Sequence, residues 1–307
     1  VLTVNALPTV TVNSESICAG SAAATFTATA TSGTPTSWLW TGQGTGTNQS
    51  TSGTTAGNYS VVATDGNGCS STMETGVLTV NALPTVTVNS ESICAGAAAA
   101  TFIATSGTAT SWLWSGRGAG VAQSTSGTTA GNYSVVVTDG NGCQSALSTG
   151  VLTVNALPTV TVNSESICAG SAAATFTATA TSGTPTSWLW TGQGTGTNQS
   201  TSGTTAGNYS VVATDGNGCS STMETGVLTV NALPTITVNS ESICAGSAAA
   251  TFTATATSGT PTSWLWSGQG TGVAQSTIGT TAGNYSVVVT DGNGCSSTME
   301  TGVLTVN

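Results

Sequence analysis

Apolar and polar side chains alternate one by one along much of this chain. In "TVTVN" (9–13), Val10 and Val12 fall on one side and Thr9 and Thr11 on the other. "ATFTATAT" (24–31) sets Phe26, Ala28 and Ala30 against four threonines. "SWLW" places Trp38 with Trp40, "NYSVVAT" places Tyr59 with Val61 and Ala63, and "VLTVN" places Leu78 with Val80. A period of two in β-branched and aromatic residues, bounded by Gly, Pro, Ser and Asn, predicts strands with one buried face. No stretch has a helical period of useful length. Between Thr41 and Gly57 the chain is Gly, Ser and Thr with few anchors, which predicts one or two short strands there.

The pattern recurs as a whole. "VLTVN" starts at Val1, Val77, Val151, Val227 and Val303, giving offsets of 76, 74, 76 and 76 residues. Residues 1–76 and 151–226 are identical, and the second and fourth copies share "GVAQST" and "VVVTDGNGC" where the others have "GTNQST" and "VVATDGNGC". This A-B-A-B order is that of a duplicated two-unit block. About seven short strands per copy, with a Trp on the third, predict an immunoglobulin-like β-sandwich. The expected fold is therefore all-β: four tandem sandwiches at 6–81, 82–155, 156–231 and 232–307. Residues 1–5 read as the final strand of a preceding repeat, so the sequence is expected to be a window on a longer polymer. That pentapeptide is expected to be extended, with no sheet partner in the first sandwich. Only Ala-Leu-Pro separates one copy's last strand from the next copy's first, a joint with little hinge freedom. Leu83 and its equivalents are expected to pack into it. Sandwiches ~35–40 Å long, from strands of ~7 residues, predict a rod of about 150 Å.

Charge narrows the functions available. Only 4% of residues are charged: 11 acids and one base, Arg117, with no Lys and no His. Nucleic acid and anionic membranes both require cations that this chain lacks, and no run of ~20 apolar residues predicts direct membrane insertion. Acid–base and nucleophilic catalysis have no clustered groups to work with, so no enzyme and no cofactor are expected.

Each copy holds two cysteines, 49 or 51 residues apart. They are expected to pair within each sandwich as Cys18–Cys69, Cys94–Cys143, Cys168–Cys219 and Cys244–Cys295, stapling a unit otherwise too small for a comfortable core. The alternative is buried free thiols; metal ligation lacks both CxxC spacing and His. Disulfides imply export to an oxidising compartment.

"ICAG", then "SWLW", then "AGNYSVVATDGNGC" resembles the PKD-like or Ig-like repeats of giant cell-surface proteins of Bacteroidota, a group that includes gliding-motility adhesins. All four copies carry the motif. The resemblance implies secretion by the type IX pathway, an extracellular location at the cell surface of a Gram-negative bacterium, and a stalk-like role.

Other candidate sites carry bland readings beside sharp ones. In "TDGNGC", Asp65 and Asn67 have calcium-loop spacing, with Glu15 a further carboxylate if the disulfide joins those loops; as a hairpin turn, the same residues supply the positive φ. Trp38 and Trp40 could stack on sugars or fill the core. The threonine rows (Thr25, Thr27, Thr29 and Thr31 beside Thr9 and Thr11) suit either an ice-binding face or an ordinary wet sheet. Asn58, Asn132, Asn208, Asn284, Asn48 and Asn198 match the N-glycosylation sequon, which is inert if the source is bacterial. The reading that unites these features is a stiff segment of a long extracellular fibre holding a distal binding tip away from the cell. Its partners would be neighbouring repeats of the same polymer. The rival is a fibre whose repeats themselves bind glycans or neighbouring fibres, with ice binding a distant third.

Overall fold

Strand formation follows the alternation. In the computed structural model, which describes residues 2–307, the first repeat holds β1 (Thr9–Val12), β2 (Glu15–Cys18), β3 (Ala24–Ser32), β4 (Pro35–Gly42), β5 (Ser50–Gly53), β6 (Gly57–Asp65) and β7 (Glu74–Asn81). The same seven recur in each copy, and no helix occurs among the described residues. Two sheets result, one ordered β1-β3-β5 and one ordered β2-β7-β6-β4. Neighbours are antiparallel except β2 and β7, which run parallel from Glu15↔Leu78 to Cys18↔Asn81.

The inner faces meet in one core per repeat. Val10, Ala24, Phe26 and Ala28 come from the first sheet, and Trp40, Tyr59, Val61, Ala63 and Leu78 from the second. Phe26 stacks on Tyr59 between the sheets with centroids 4.1 Å apart, and Phe102–Tyr133, Phe176–Tyr209 and Phe252–Tyr285 repeat the pair. The buried phenol needs an acceptor, and Tyr59 Oη donates to the Thr55 carbonyl at 3.0 Å. This is the upstream backbone contact of a tyrosine corner, a hallmark of such sandwiches. The chain is thus an array of four immunoglobulin-like β-sandwiches. It divides into two compact units of two sandwiches each, one ending at Asn155 and the next beginning at Ala156.

Several expectations need correction. The strand carrying Trp38 and Trp40 is the fourth, because Glu15–Cys18 forms a strand of its own. The Thr41–Gly57 stretch supplies one strand, β5. Ala30 is exposed, because β3 runs on past the core at that end; Ala24 is buried at the other end instead. At the Ala-Leu-Pro joint Leu83 is 43% exposed, and the proline, Pro84, is the buried residue. In the first repeat the equivalent Pro8 lies against Gly33, where an added Cβ would sit 3.2 Å from the proline ring. The joint proline therefore belongs to the packing of the sandwich that follows it. Leu2–Asn5 lie in no strand, with Leu2 and Val4 largely exposed; Val1 lies outside the described residues.

Candidate functional site

The split first strand decides where the cysteines stand. After β1 the chain crosses at Asn13–Ser14 to the other sheet, so that β2 can run beside β7. Asn13 holds the crossing: its side chain accepts from Thr27 N–H at 2.7 Å and donates to the Thr25 carbonyl at 2.9 Å. Val77 N–H donates to Ser14 Oγ at 3.0 Å. Cys18 therefore ends opposite Asn81, at the end of the sandwich from which the chain leaves for the next repeat. Ala19 N–H donates to the Asn81 carbonyl at 2.8 Å and Ser21 N–H to the Cys18 carbonyl at 3.0 Å, forming a tight turn at that end.

The second cysteine lies at the opposite end. β6 is antiparallel to β7, with Val61 against Glu74, so its Asp65 end and the hairpin that follows project away from Asn81. In that hairpin Asp65 Oδ1 accepts from the N–H groups of Asn67 and Cys69, both at 2.9 Å. Gly68 takes φ 79°, in the region that favours glycine. Cys18 and Cys69 are thus separated by the length of β7, about 23 Å at ~3.3 Å per residue, whereas bridged Cα atoms lie within about 7 Å.

The expected pairings within each repeat are therefore overturned. Cys18 is bonded to Cys143 and Cys168 to Cys295, each with Cα atoms 5.5 Å apart and with sequence separations of 125 and 127 residues. The strand-end cysteine of one repeat reaches the hairpin cysteine of the next. Cys94 and Cys219 are disulfide-bonded as well. Cys69 and Cys244, both expected in bridges, are free thiols. The near-constant spacing of 49 or 51 residues expressed the repeat period and carried no information on pairing. The missing signal was the register of "ESIC" against "VLTVN", because a parallel pairing of two short strands leaves no hairpin cue in the sequence.

The calcium reading fares no better geometrically. Asp65 uses one carboxylate oxygen to hold its own turn, and Glu15 sits opposite Leu78, as does Gly57 at the far end of β6 from Asp65. Glu15 instead accepts from Asn13 Nδ2 at 2.5 Å. The structure does not bring Glu15, Asp65 and Asn67 together, and no cluster of three or more His, Cys, Asp or Glu occurs among the described residues. Treatment with EDTA is therefore expected to leave the thermal midpoint within about 1 °C, since a ligand bound to the native state would have to show its removal as lost stability. Calorimetry with and without chelator checks this; a drop of several degrees would restore a metal-held turn.

The aromatic and hydroxyl surfaces also resolve into distinct places. Trp40 is core, and its Nε1 donates to the Asn48 carbonyl at 2.9 Å. Trp38 packs partly buried against the same cluster. On the outer face of the three-stranded sheet, Thr11 faces Thr29, Thr27 faces Ser50 and Thr25 faces Ser52, giving a continuous hydroxyl surface. Thr9 Oγ1 bonds the hydroxyls of Thr31 and Ser32 at its edge, at 2.6 and 2.7 Å. The second repeat carries exposed Ile103 in this surface, and the fourth carries exposed Ile278. A hollow of about 380 Å³ lies over the second repeat's other sheet, lined by Ser111, Trp112, Leu113, Val121, Val136, Thr138 and Gln144, with no charged group.

No protein-family model matches the chain, and no curated relative matches it. Solved structures similar to it include an I-band fragment, I67–I69, from titin, with a TM-score of 0.40 and 16% identity over 74% of this chain and all of that one. Immunoglobulin domains 1–5 of Sidekick-1 align with a TM-score of 0.29 and 15% identity, over 96% of this chain and 78% of that one. Fibronectin(III)-like modules of Clostridium thermocellum CbhA align at 0.29 and 20%, over 48% of this chain and 94% of that one. All are tandem β-sandwich proteins, and at these identities they bear on fold alone. What the sheets and bridges define is a class: a tandem immunoglobulin-like repeat protein. Within that class, disulfides join neighbouring repeats of this chain.

Proposed function

We propose that this chain is a load-bearing spacer segment of a long extracellular surface fibre, with repeats bounded at 6–81, 82–155, 156–231 and 232–307 and a binding function carried elsewhere. The observation that supports it most is the pair of bridges between repeats. A disulfide inside a sandwich protects only that sandwich, whereas one that spans two repeats fixes the joint between them. It also takes the intervening chain out of the path of an applied force. Disulfides of this number fit an oxidising, extracellular setting. A surface dressed in Thr and Ser with a single cation fits a spacer that avoids indiscriminate ionic contacts. The motif resemblance given above adds the more specific setting, a type IX-secreted surface protein of Bacteroidota. The rival in which the repeats bind glycans is disfavoured by the Trp positions, which serve the cores. Lateral association of fibres through the hydroxyl faces remains the second reading.

Single-molecule stretching tests the spacer role. Cys18–Cys143 encloses 125 residues of sequence separation, so each such bridge should withhold about 430 Å of extension, at ~3.4 Å per residue, until it is reduced. The expected record is a short extension under oxidising conditions and long additional steps after a reductant is added. Full unfolding of the oxidised chain, one sandwich after another, would remove the basis of the proposal. So would glycan-array binding by the isolated repeats.

A further inference from the structure

Two half-joints in this chain are complete except for their partners. The first is the hairpin of the first repeat. Asp65 Oδ1 holds the N–H groups of Asn67 and Cys69 at 2.9 Å, and Asp139 and Asp291 hold the corresponding groups of the bridged hairpins at the same distance. Cys143 and Cys295 are 1% and 0% exposed in their bridges, while Cys69 presents the same turn half-open to solvent as a free thiol.

The second half-joint is the strand end of the fourth repeat. Ala245 N–H donates to the Asn307 carbonyl at 2.9 Å and Ser247 N–H to the Cys244 carbonyl at 3.0 Å. These match the turn that presents Cys18 to its bridge, where the corresponding bonds are 2.8 and 3.0 Å. Cys244 is exposed and free. Both thiols are therefore held in the backbone geometry that forms a bridge elsewhere in the same molecule. They are also complementary, one of the strand-end kind and one of the hairpin kind.

We propose that Cys244 and Cys69 are the two faces of an intermolecular joint, and that the chain links head to tail with a second copy of itself through a Cys244–Cys69 disulfide. The contact is heterologous, so each copy added leaves one face open at either end and growth is linear. Two thiols lose two protons and two electrons. The acceptor is a low-molecular-weight disulfide such as oxidised glutathione, which forms a mixed disulfide with one protein thiol and leaves as two reduced thiols when the second attacks. This joint is additional to the spacer role and does not depend on what the fibre carries.

The test uses the 307-residue chain in a glutathione redox buffer. Non-reducing electrophoresis should show a ladder at integral multiples of the chain mass that collapses on reduction, and mass spectrometry should find the peptide containing Cys244 joined to that containing Cys69. Cys69→Ala and Cys244→Ala chains should each stay monomeric alone, while an equal mixture should give the dimer and nothing longer. Three results would overturn the proposal: like-with-like dimers of either single variant, a Cys69–Cys244 link closed within one chain, or both thiols persisting reduced while the buffer oxidises exposed control thiols. None of them would disturb the stretching test, which reads the internal bridges.

Discussion

Replacing Cys18 and Cys143 together by alanine is expected to lower the thermal midpoint of the first two repeats by roughly 15 °C or more. The same change at Cys69 should leave it within about 1 °C. The asymmetry follows from where the bridge runs. With the first repeat folded, unfolding the second in the bridged chain must keep closed a loop that runs from the joint to Cys143, on the order of 60 residues, which restricts the unfolded ensemble by about 4 kcal/mol. In a domain of this size each kcal/mol corresponds to roughly 4–8 °C. Removing both cysteines leaves no stranded thiol to reshuffle. Pairing inside each repeat would instead make Cys69→Ala as damaging as any change at Cys18. Differential scanning calorimetry of the two variants against the parent chain decides between these outcomes, and equal midpoints for both variants would contradict the bridge register described here.

The contrast marks where sequence reading succeeds. Phe26, Tyr59, Val61, Ala63 and Leu78 were all legible as buried, because a one-sided strand writes its face into every second residue. The sandwich followed from their number and spacing. Ala30 was misplaced because alternation continues past the point where the opposite sheet stops covering it; periodicity reports which face a residue shares and not where the core ends. The joint was misread for a related reason. "ESIC" is too short and too polar to announce a strand, and its partner "VLTVN" lies more than 60 residues away in a parallel pairing. The strand-end and hairpin cysteines could be identified as bridge-formers. The ends of the sandwich they occupied depended on that unannounced pairing. The joint leucine was misassigned because hydrophobicity alone favoured Leu83 over Pro84, whereas a proline set against the next sandwich needs less room.

The crossing between β1 and β2 is the local feature on which the whole bridge register depends, and Gly76→Ala is expected to break it. Gly76 in β7 passes directly over the crossing. A Cβ built there would land on the Asn13 carbonyl oxygen, 2.8 Å from Val12 Cγ1 and 3.1 Å from the Asn13 carbonyl carbon. The Asn13 backbone cannot retreat without cost, because its side chain is bonded to both Thr25 and Thr27 of β3. Gly150, Gly226 and Gly302 occupy the same place over Asn89, Asn163 and Asn239. Such overpacking against backbone costs at the upper end of about 1–3 kcal/mol, or more. Gly68→Ala is the control. A Cβ at Gly68 meets nothing within 4 Å, and its penalty is the positive φ alone, roughly 1–2 kcal/mol. The two variants should also differ in kind. Pushing β1 and β2 off β7 at Gly76 displaces Cys18 from the end that faces the next repeat, so the Cys18–Cys143 bridge should become reducible by mild thiol at temperatures where the parent resists. Gly68→Ala should leave that resistance intact, since Cys69 takes no part in the bridge. Following thiol release against temperature separates them. If Gly76→Ala lowers stability but leaves the bridge as resistant as in the parent, then the crossing does not position Cys18, and the joint is held by contacts between the repeats themselves.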